Sequence, residues 1–320
     1  MSDNASDSPA LSEAELEAGH AFQMRHLYAP MQYVEIKADA ASMARLYARI
    51  AASWQAMGET EPHWSVITAE AFRQETLEAQ MAAFLDMGRG NRERVVAALG
   101  RHGVDFADIR TVIDFGCGVG RVSAAFAEKG CAVTGVDISA AHLAEARATF
   151  DRAGLQAADF VQLAALEEIE ALPQVDLVFT LIVLQHNPPP IIAAILRRLL
   201  GRVRPGGFIY FQVPTYREGY SYDVQADLDS PEGHMEMHVL PQWAAFDILR
   251  QAGFSLLEVI EEASCWDPAF RSQVFLAQKT DAPRVPQKPP ASAIVPTPPR
   301  KNWLSRLNAR RKAARRRNRG

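Results

Sequence analysis

A glycine-rich loop between an apolar run and a helical stretch constrains the fold of this chain more than any other feature. Thr111–Phe115 (TVIDF) is apolar and rich in β-branched residues, which is typical of a buried strand. Residues 116–120 read GCGVG, and helical spacing begins at Arg121. Glycines let a backbone turn tightly and approach a ligand, and the start of a helix offers free N–H groups. The segment therefore predicts a strand–loop–helix unit with a ligand on its loop.

Short apolar runs alternate with helical stretches from this loop onward. The predicted strands are 111–115, 132–136, 160–163, 175–180, 208–213, 255–260 and 272–277. The predicted helices among them are 121–128, 140–153, 190–203 and 241–253. This alternation predicts an α/β fold with a doubly wound, mostly parallel seven-stranded sheet. The last two strands follow each other without a helix, which predicts an antiparallel hairpin at the sheet edge.

Two acids beside the loop limit the chemical class of the ligand. Asp114 precedes the loop, where a pyrophosphate would be repelled and a cationic ligand would be favoured. Arg121 stands where a dinucleotide-binding fingerprint has its last Gly or Ala, which disfavours a nicotinamide-dependent oxidoreductase. Asp137 follows the second predicted strand, where an acid can accept hydrogen bonds from both hydroxyls of a ribose.

Four segments together resemble the class I S-adenosylmethionine-dependent methyltransferases, which are Rossmann-like. They are VIDFGCGVGR (112–121), VTGVDIS (133–139), VDLVFTLIVLQH (175–186) and LRRLLGRVRPGGFIYFQV (196–213). The resemblance covers about residues 105–280, in the family's order. It implies that the chain is an enzyme with S-adenosyl-L-methionine as its cofactor.

The resemblance also implies roles for individual residues in cofactor binding. Asp114 would act on the methionine amino group, directly or through water, and Asp137 would bind the ribose hydroxyls. Ile138 would lie against the adenine. Three glycines would make room for the methionine and ribose portions: Gly116, Gly118 and Gly120.

One departure from the family's pattern concerns the adenine. The family often has an acid after the third strand, whereas here none occurs before Glu167. Backbone groups of Ala165 or Leu166 are expected to take its place. Beyond the fourth strand, Thr180 and Leu181 are expected to face the cofactor.

His186 follows the fourth strand, near the position where an acceptor should meet the methyl group. A neutral imidazole there could take a proton from a hydroxyl or amine acceptor, which makes His186 the candidate catalytic residue. The alternative is a histidine that is hydrogen-bonded to the backbone and shapes the pocket floor. Cys117, within the loop, is expected to fill space without a catalytic role.

Residues 215–240 form a long insertion between a strand and a helix, which predicts a lid over the acceptor site. Its histidines and tyrosines are candidates for acceptor contact: Tyr216, Tyr220, Tyr222, His234 and His238. His234 and His238 with Glu236 also suggest a metal, but a third ligand and helical geometry are not evident in the sequence, so no metal site is predicted.

The region before the loop is predicted to be helical. Residues 1–20 are rich in Ser, Asp, Glu and Ala and are expected to be disordered, whereas 21–104 are expected to form a helical cap. Helical spacing covers 40–57, 69–84 and 92–99, with a stop at Gly100. Three aromatic residues of this cap are expected to belong to its core or to line the pocket: Tyr47, Trp54 and Trp64.

The end of the chain differs from the rest in composition and charge. Seven of the twenty residues in 281–300 are proline, which predicts an extended linker. Residues 300–319 hold ten Lys or Arg and no acid, so residues 1–299 carry a net charge of −14. The basic tail, 301–320, could bind an anionic membrane surface, bind RNA or another polyanion, or remain solvated.

Composition and the motifs together limit the class of protein. Three cysteines and an acidic start without an apolar segment predict a cytoplasmic protein without a disulfide framework, and peripheral membrane contact stays open. An acidic body excludes a uniformly basic nucleic-acid binder. We expect methyl transfer to an O or N atom of a small-molecule or saccharide-like acceptor. Alternatives are an RNA or protein methyltransferase recruited by the tail, or a non-catalytic binding module anchored by it.

Overall fold

The apolar runs form seven strands of one sheet. The computed structural model describes residues 12–14, 16–17, 20, 33–156, 158–231, 235–262, 265, 267 and 269–280. The strands are β1 (Thr111–Phe115), β2 (Ala132–Asp137), β3 (Asp159–Gln162), β4 (Val175–Thr180), β5 (Val203–Arg217), β6 (Phe254–Glu262) and β7 (Phe270–Lys279). The predicted linker and basic tail lie outside the described residues, as do His234 and most of residues 1–20.

The strand order is β3-β2-β1-β4-β5-β7-β6. β7 runs antiparallel to both of its neighbours, and the other adjacent strands are parallel. The doubly wound, mostly parallel sheet and its antiparallel edge hairpin are therefore confirmed. The chain order reverses between β1 and β4, and open parallel sheets bind ligands in the crevice at the carboxyl ends of such strands.

Eight helices accompany the sheet within the described part of the chain. They are α1 (Ala40–Thr60), α2 (Pro62–Val66), α3 (Leu77–Arg101), α4 (Arg121–Ala127), α5 (Ala140–Arg152), α6 (Pro189–Leu200), α7 (Val224–Asp229) and α8 (Gln242–Gln251). None of the helices in the described residues is long and apolar enough to cross a membrane.

The sheet is covered on both faces. On one face, Ile113, Val178 and Phe211 pack with apolar residues of α6 and α8. On the other face, Val112 and Leu177 pack with residues of α3 and α4. All six residues of β4 are buried because this strand lies between two covered faces, which explains its nearly continuous apolar sequence.

The helix α3 corrects one expectation. The spacing predicts separate helical stretches over 69–84 and 92–99, but the structure has one helix over Leu77–Arg101, preceded by a 3₁₀ turn at Glu70–Phe72. Gly88, within the gap, is a site of close packing rather than a break. A Cβ atom built there would lie 2.4 Å from the backbone oxygen of Arg121.

Two of the three glycines of α3, Gly88 and Gly90, should respond oppositely to replacement by alanine. Gly88→Ala should lower the free energy of unfolding by about 1–3 kcal/mol, because its methyl group would overlap the backbone of α4. Gly90→Ala should raise it by about 1 kcal/mol, because Gly90 is exposed and a Cβ atom there meets nothing within 4 Å. Urea unfolding measures both. Stabilisation by both substitutions would contradict the close approach of α3 and α4.

Candidate active site

A cleft lies at the carboxyl ends of β1, β2 and β4. Its empty volume is about 1090 Å³, counting the space that is open to solvent. The glycine loop and the acids of β1 and β2 form one wall. Residues of α1 and α2 cover it from the opposite side: Tyr47, Ile50, Trp54, Ser65 and Val66.

The glycine loop brings bare backbone to the cleft. Gly116 and Gly118 line the cleft and have φ angles of +73° and +52°. A Cβ atom at Gly116 would lie 2.3 Å from a methyl carbon of Val183, and one at Gly118 would lie 2.7 Å from a methyl carbon of Val66. Gly120 does not line the cleft. It precedes α4, and a Cβ atom built there would lie 3.0 Å from Cβ of Ala146, so it serves the packing of α4 on α5.

Asp137, at the end of β2, is fixed by backbone donors. Its Oδ2 accepts a hydrogen bond from the N–H of Gly118 at 2.9 Å, and its Oδ1 accepts one from the N–H of Ser139 at 2.9 Å. The carboxylate thereby ties the glycine loop to the start of α5. Because a carboxylate has about four acceptor positions, it retains capacity for ligand hydroxyls.

Sequence reasoning missed a histidine beside Asp137. His142 is buried on the first turn of α5, and its Nδ1 lies 3.8 Å from Oδ1 of Asp137. Its Nε2 lies 2.8 Å from Oγ of Ser65 on α2. The pair links the N-terminal helices to the acid of β2. No periodicity or motif marks Ser65 or His142, because the contact depends on where α2 docks.

Asp114 lies buried beneath the loop and lines the cleft. Burial raises the pKa of its carboxyl group to about 6, against the opposing effects of a hydrogen bond from Ser123 and the charge of Arg121. Oγ of Ser123 donates to Oδ2 of Asp114 at 2.6 Å. A cation bound in the cleft would offset this cost of burial.

Only some of the residues predicted to lie near the adenine or after β4 line the cleft. Ile138, Leu166 and Leu181 line the cleft, whereas Ala165 and Thr180 do not. The side chain of Thr180 is fully buried. Leu163, which sequence reasoning did not single out, also lines the cleft, and its carbonyl oxygen accepts a hydrogen bond from the Tyr47 hydroxyl at 3.0 Å.

The chain turns sharply after β4 through a left-handed residue. Ile182 has a φ of +59°, a strained conformation for a β-branched side chain. Its N–H donates to Oε1 of Gln212 at 2.9 Å, and Gln212 is fully buried. This turn places Val183 against Gly116 and brings the following 3₁₀ turn, Leu184–His186, to the cleft.

His186 lines the cleft. Its Nδ1 lies 3.2 Å from the carbonyl oxygen of Glu236, which can only accept, so Nδ1 carries the proton and Nε2 is free to accept. Burial lowers the pKa of its imidazole to about 4, so the ring is neutral at pH 7. The Trp54 ring lies edge-on to it, with centroids 5.3 Å apart.

A second cavity meets the cleft at Ile50, Trp54 and His186. It lies between α1 and the predicted lid, and it has an empty volume of about 840 Å³, counting the space that is open to solvent. Four further titratable residues line it: Arg49, Asp227, Glu236 and His238. Two of the tyrosines that were candidates for acceptor contact instead lie within hydrogen-bond distance of residues that line this cavity. The hydroxyl of Tyr220 lies 3.1 Å from Nδ1 of His238, and Tyr222 donates to Asp227 at 2.7 Å.

The remaining candidates have other surroundings. Cys117 is buried, and burial raises its thiol pKa well above the usual value. Trp64 is not among the residues of the cleft, and the guanidinium of Arg73 lies 4.4 Å from its ring centroid. Among the described residues, which exclude His234, no group of three or more His, Cys, Asp or Glu could hold a metal ion.

The cleft fits a cationic nucleoside with an amino-acid tail. A buried acid, bare glycine backbone and a fixed carboxylate at the end of β2 are present, and apolar residues flank them. Residues 113–209 match the family model described as a methyltransferase domain. Over these residues the chain is therefore similar to methyltransferase domains.

Curated relatives match part of this chain. The chain is 40% identical over 102 residues to the ubiquinone biosynthesis O-methyltransferase of Pseudomonas paraeruginosa, and 40% identical over 103 residues to that of Stutzerimonas stutzeri. Each match covers 32% of this chain and 43% of the relative. The chain thus spans less than half the length of these relatives.

A solved structure shows the same fold over a longer part of the chain. It is magnesium protoporphyrin IX methyltransferase from Synechocystis PCC 6803 with bound S-adenosylhomocysteine. The TM-score is 0.52 at 20% sequence identity, and the match covers 74% of this chain and 100% of that chain. At this identity the likeness concerns the fold alone.

The neutral state of His186 predicts a pH-dependent stability. Its folded pKa of about 4 lies below the value of about 6.5 in an unfolded chain, so between these values the unfolded state binds more protons. Its contribution to stability is therefore present above pH 6.5 and is lost as the pH falls toward 4. Asp114, with its raised pKa, gives stability the opposite pH dependence. Its contribution is the same in the wild type and in a variant that replaces only His186.

His186→Asn should flatten the rise of unfolding free energy with pH between 4 and 6.5. The slope of unfolding free energy against pH should fall by an amount that approaches one bound proton, or about 1.4 kcal/mol per pH unit. Urea unfolding of the wild type and the variant across this range gives both slopes. An unchanged slope would show that His186 is not held neutral by burial.

Proposed function

We propose that this chain transfers the methyl group of S-adenosylmethionine to an oxygen or nitrogen atom of a small-molecule acceptor. The observation that carries the proposal is the meeting of two cavities at Trp54 and His186. One holds the glycine loop and the paired acids expected for the cofactor, and the other is enclosed by α1 and the lid. A cofactor and an acceptor held in them would meet beside His186.

The cofactor would be held by its charge, its ribose and its adenine. Asp114 faces the positively charged amino group, and Asp137 accepts the ribose hydroxyls. Ile138, with Leu163 and Leu166, supports the adenine. Gly116 and Gly118 allow close approach, whereas Gly120, Ala165 and Thr180 do not line the cleft and have no contact with the cofactor in this proposal. When bound, S-adenosylmethionine supplies a methyl group that is already activated by the sulfonium charge.

His186 would hold the acceptor and receive its proton. Its Nδ1–H is fixed by the carbonyl oxygen of Glu236, so Nε2 presents a lone pair. The side-chain amide of Gln185 donates toward that Nε2 at 3.2 Å, so an acceptor hydroxyl would have to displace this amide. Because the pKa of His186 is low, the ring is a weak base and suits an acceptor whose proton becomes acidic only as the methyl group is transferred.

An oxygen acceptor is favoured over nitrogen. The curated relatives are named O-methyltransferases, and the second cavity combines one aromatic wall with polar side chains. Such a lining suits a hydroxylated ring, either aromatic or saccharide-like. Contact of residues 301–320 with an anionic membrane or another polyanion stays a prediction, because the tail lies outside the described residues.

Asp137→Ala should weaken the binding of S-adenosylhomocysteine at least tenfold, because two charge-assisted hydrogen bonds to the ribose would be lost. Isothermal titration calorimetry with the full chain measures the change. Asp159→Ala is the matched control, since Asp159 begins the neighbouring strand β3 and is exposed. Micromolar binding by the wild type that Asp137→Ala leaves unchanged would contradict the ribose role. No binding by the folded wild type would overturn the proposed function.

The role of His186 is tested by methyl transfer from radiolabelled S-adenosylmethionine to a panel of catechols, phenols, amines and monosaccharides. For a hydroxyl acceptor found in this way, His186→Asn should lower kcat at least 100-fold and leave cofactor affinity within about threefold, because it removes a general base. A kcat within threefold of the wild type would assign His186 to shaping the pocket floor.

A further inference from the structure

Arg121 is a buried cation whose nitrogens lack partners. It follows the glycine loop as the first residue of α4, and only 7% of it is exposed. Within the described part of the chain, its Nε and Nη1 are buried without a hydrogen-bond partner. The side-chain stem lies beside Gly88, and the guanidinium carbon lies 5.6 Å from the ring centroid of Phe84. These neighbours support the side chain and leave its charge unpaired.

Asp114 is a buried anion close to Arg121, yet the two do not pair. Asp114 is only 3% exposed, and each group shifts the pKa of the other through its charge. No ion pair within 4.0 Å joins these two described residues. Both line the cleft, and Arg121 is the one Lys or Arg among the described residues lining it.

Two separated charges of opposite sign are costly in a buried wall. An unpaired buried ion is costly, and the cost is offset when a group of opposite charge forms hydrogen bonds with it. An α-amino acid carries an ammonium and a carboxylate on one carbon atom. Placed between the two side chains, it would satisfy both at once, since a guanidinium pairs well with a carboxylate.

We propose that Arg121 binds the α-carboxylate of the cofactor while Asp114 binds its ammonium group, so that the pair selects nucleosides that carry a complete amino-acid tail. This inference rests on the proposed function and extends it to a residue that the glycine pattern leaves without a role. Asp114 and Arg121 lie on consecutive elements, β1 and α4, so the loop between them sets their separation.

The proposal is tested by titrating three ligands into the full chain. S-Adenosylhomocysteine has the whole tail, S-adenosyl-3-thiopropylamine lacks only the carboxylate, and 5′-methylthioadenosine lacks the entire amino acid. The wild type should bind the first at least 30-fold more tightly than the second. Arg121→Met keeps an apolar stem beside Phe84. Its affinity should fall 30-fold for S-adenosylhomocysteine only. Its affinities for the other two ligands should stay within threefold of the wild type.

Arg147→Met is the matched control, because Arg147 also lies over a phenylalanine ring, that of Phe160, but does not line the cleft. It should bind all three ligands as the wild type does. Nearly equal binding of the first two ligands by the wild type would overturn the role of Arg121 and leave the proposed function standing. A uniform loss of all three ligands in Arg121→Met would also overturn it, because that pattern indicates a structural role. No binding of any ligand by the wild type would overturn the proposed function itself.

Discussion

The carboxylate of Asp137 is the interaction on which the arrangement of the cleft depends. It receives one N–H group from the glycine loop and one from the start of α5. Three segments that are separate in sequence are thus fixed at one point: the loop after β1, the end of β2 and the first turn of α5. The loop can hold this position because Gly116 and Gly118 adopt left-handed conformations that side chains would oppose. His142 and Ser65 extend the same network to α2.

Burial of charge gives the cleft its chemical character. Asp114 and Arg121 are buried and His186 is half-buried. Burial raises the pKa of Asp114 and lowers the pKa of Arg121 and of His186, so it favours the neutral form of each group. For His186, a neutral ring is a usable proton acceptor. For Asp114 and Arg121, the shift measures an electrostatic cost that a bound zwitterion would offset. The same low-polarity surroundings would strengthen every hydrogen bond made to a ligand there.

The sheet and the loop could be predicted from the sequence because local patterns determine them. β4 has the predicted bounds, Val175–Thr180, since a strand buried on both faces needs a nearly continuous apolar run. The acids at the ends of β1 and β2 could be placed because parallel strands present their carboxyl ends at one edge.

Features that depend on docking could not be predicted in the same way. Helical spacing shows that α1 has an apolar face, but not that Tyr47 and Trp54 lie over the cleft. Gly88 lies in the gap between two predicted helical stretches, and the sequence does not show that the approach of α4 requires a glycine there. The left-handed Ile182 had no signal at all, because the buried Gln212 that supports it lies 30 residues away in sequence.

The backbone around Asp137 is expected to form a nucleoside site. Amide chemical shifts of the deuterated, ¹⁵N-labelled chain, followed by NMR during addition of S-adenosylhomocysteine, can test this expectation. The largest changes should occur at Gly116, Gly118 and Ser139 and should saturate together, while those of the β6–β7 hairpin stay unchanged. Unchanged amides in the glycine loop, or changes confined to other parts of the fold, would contradict this expectation.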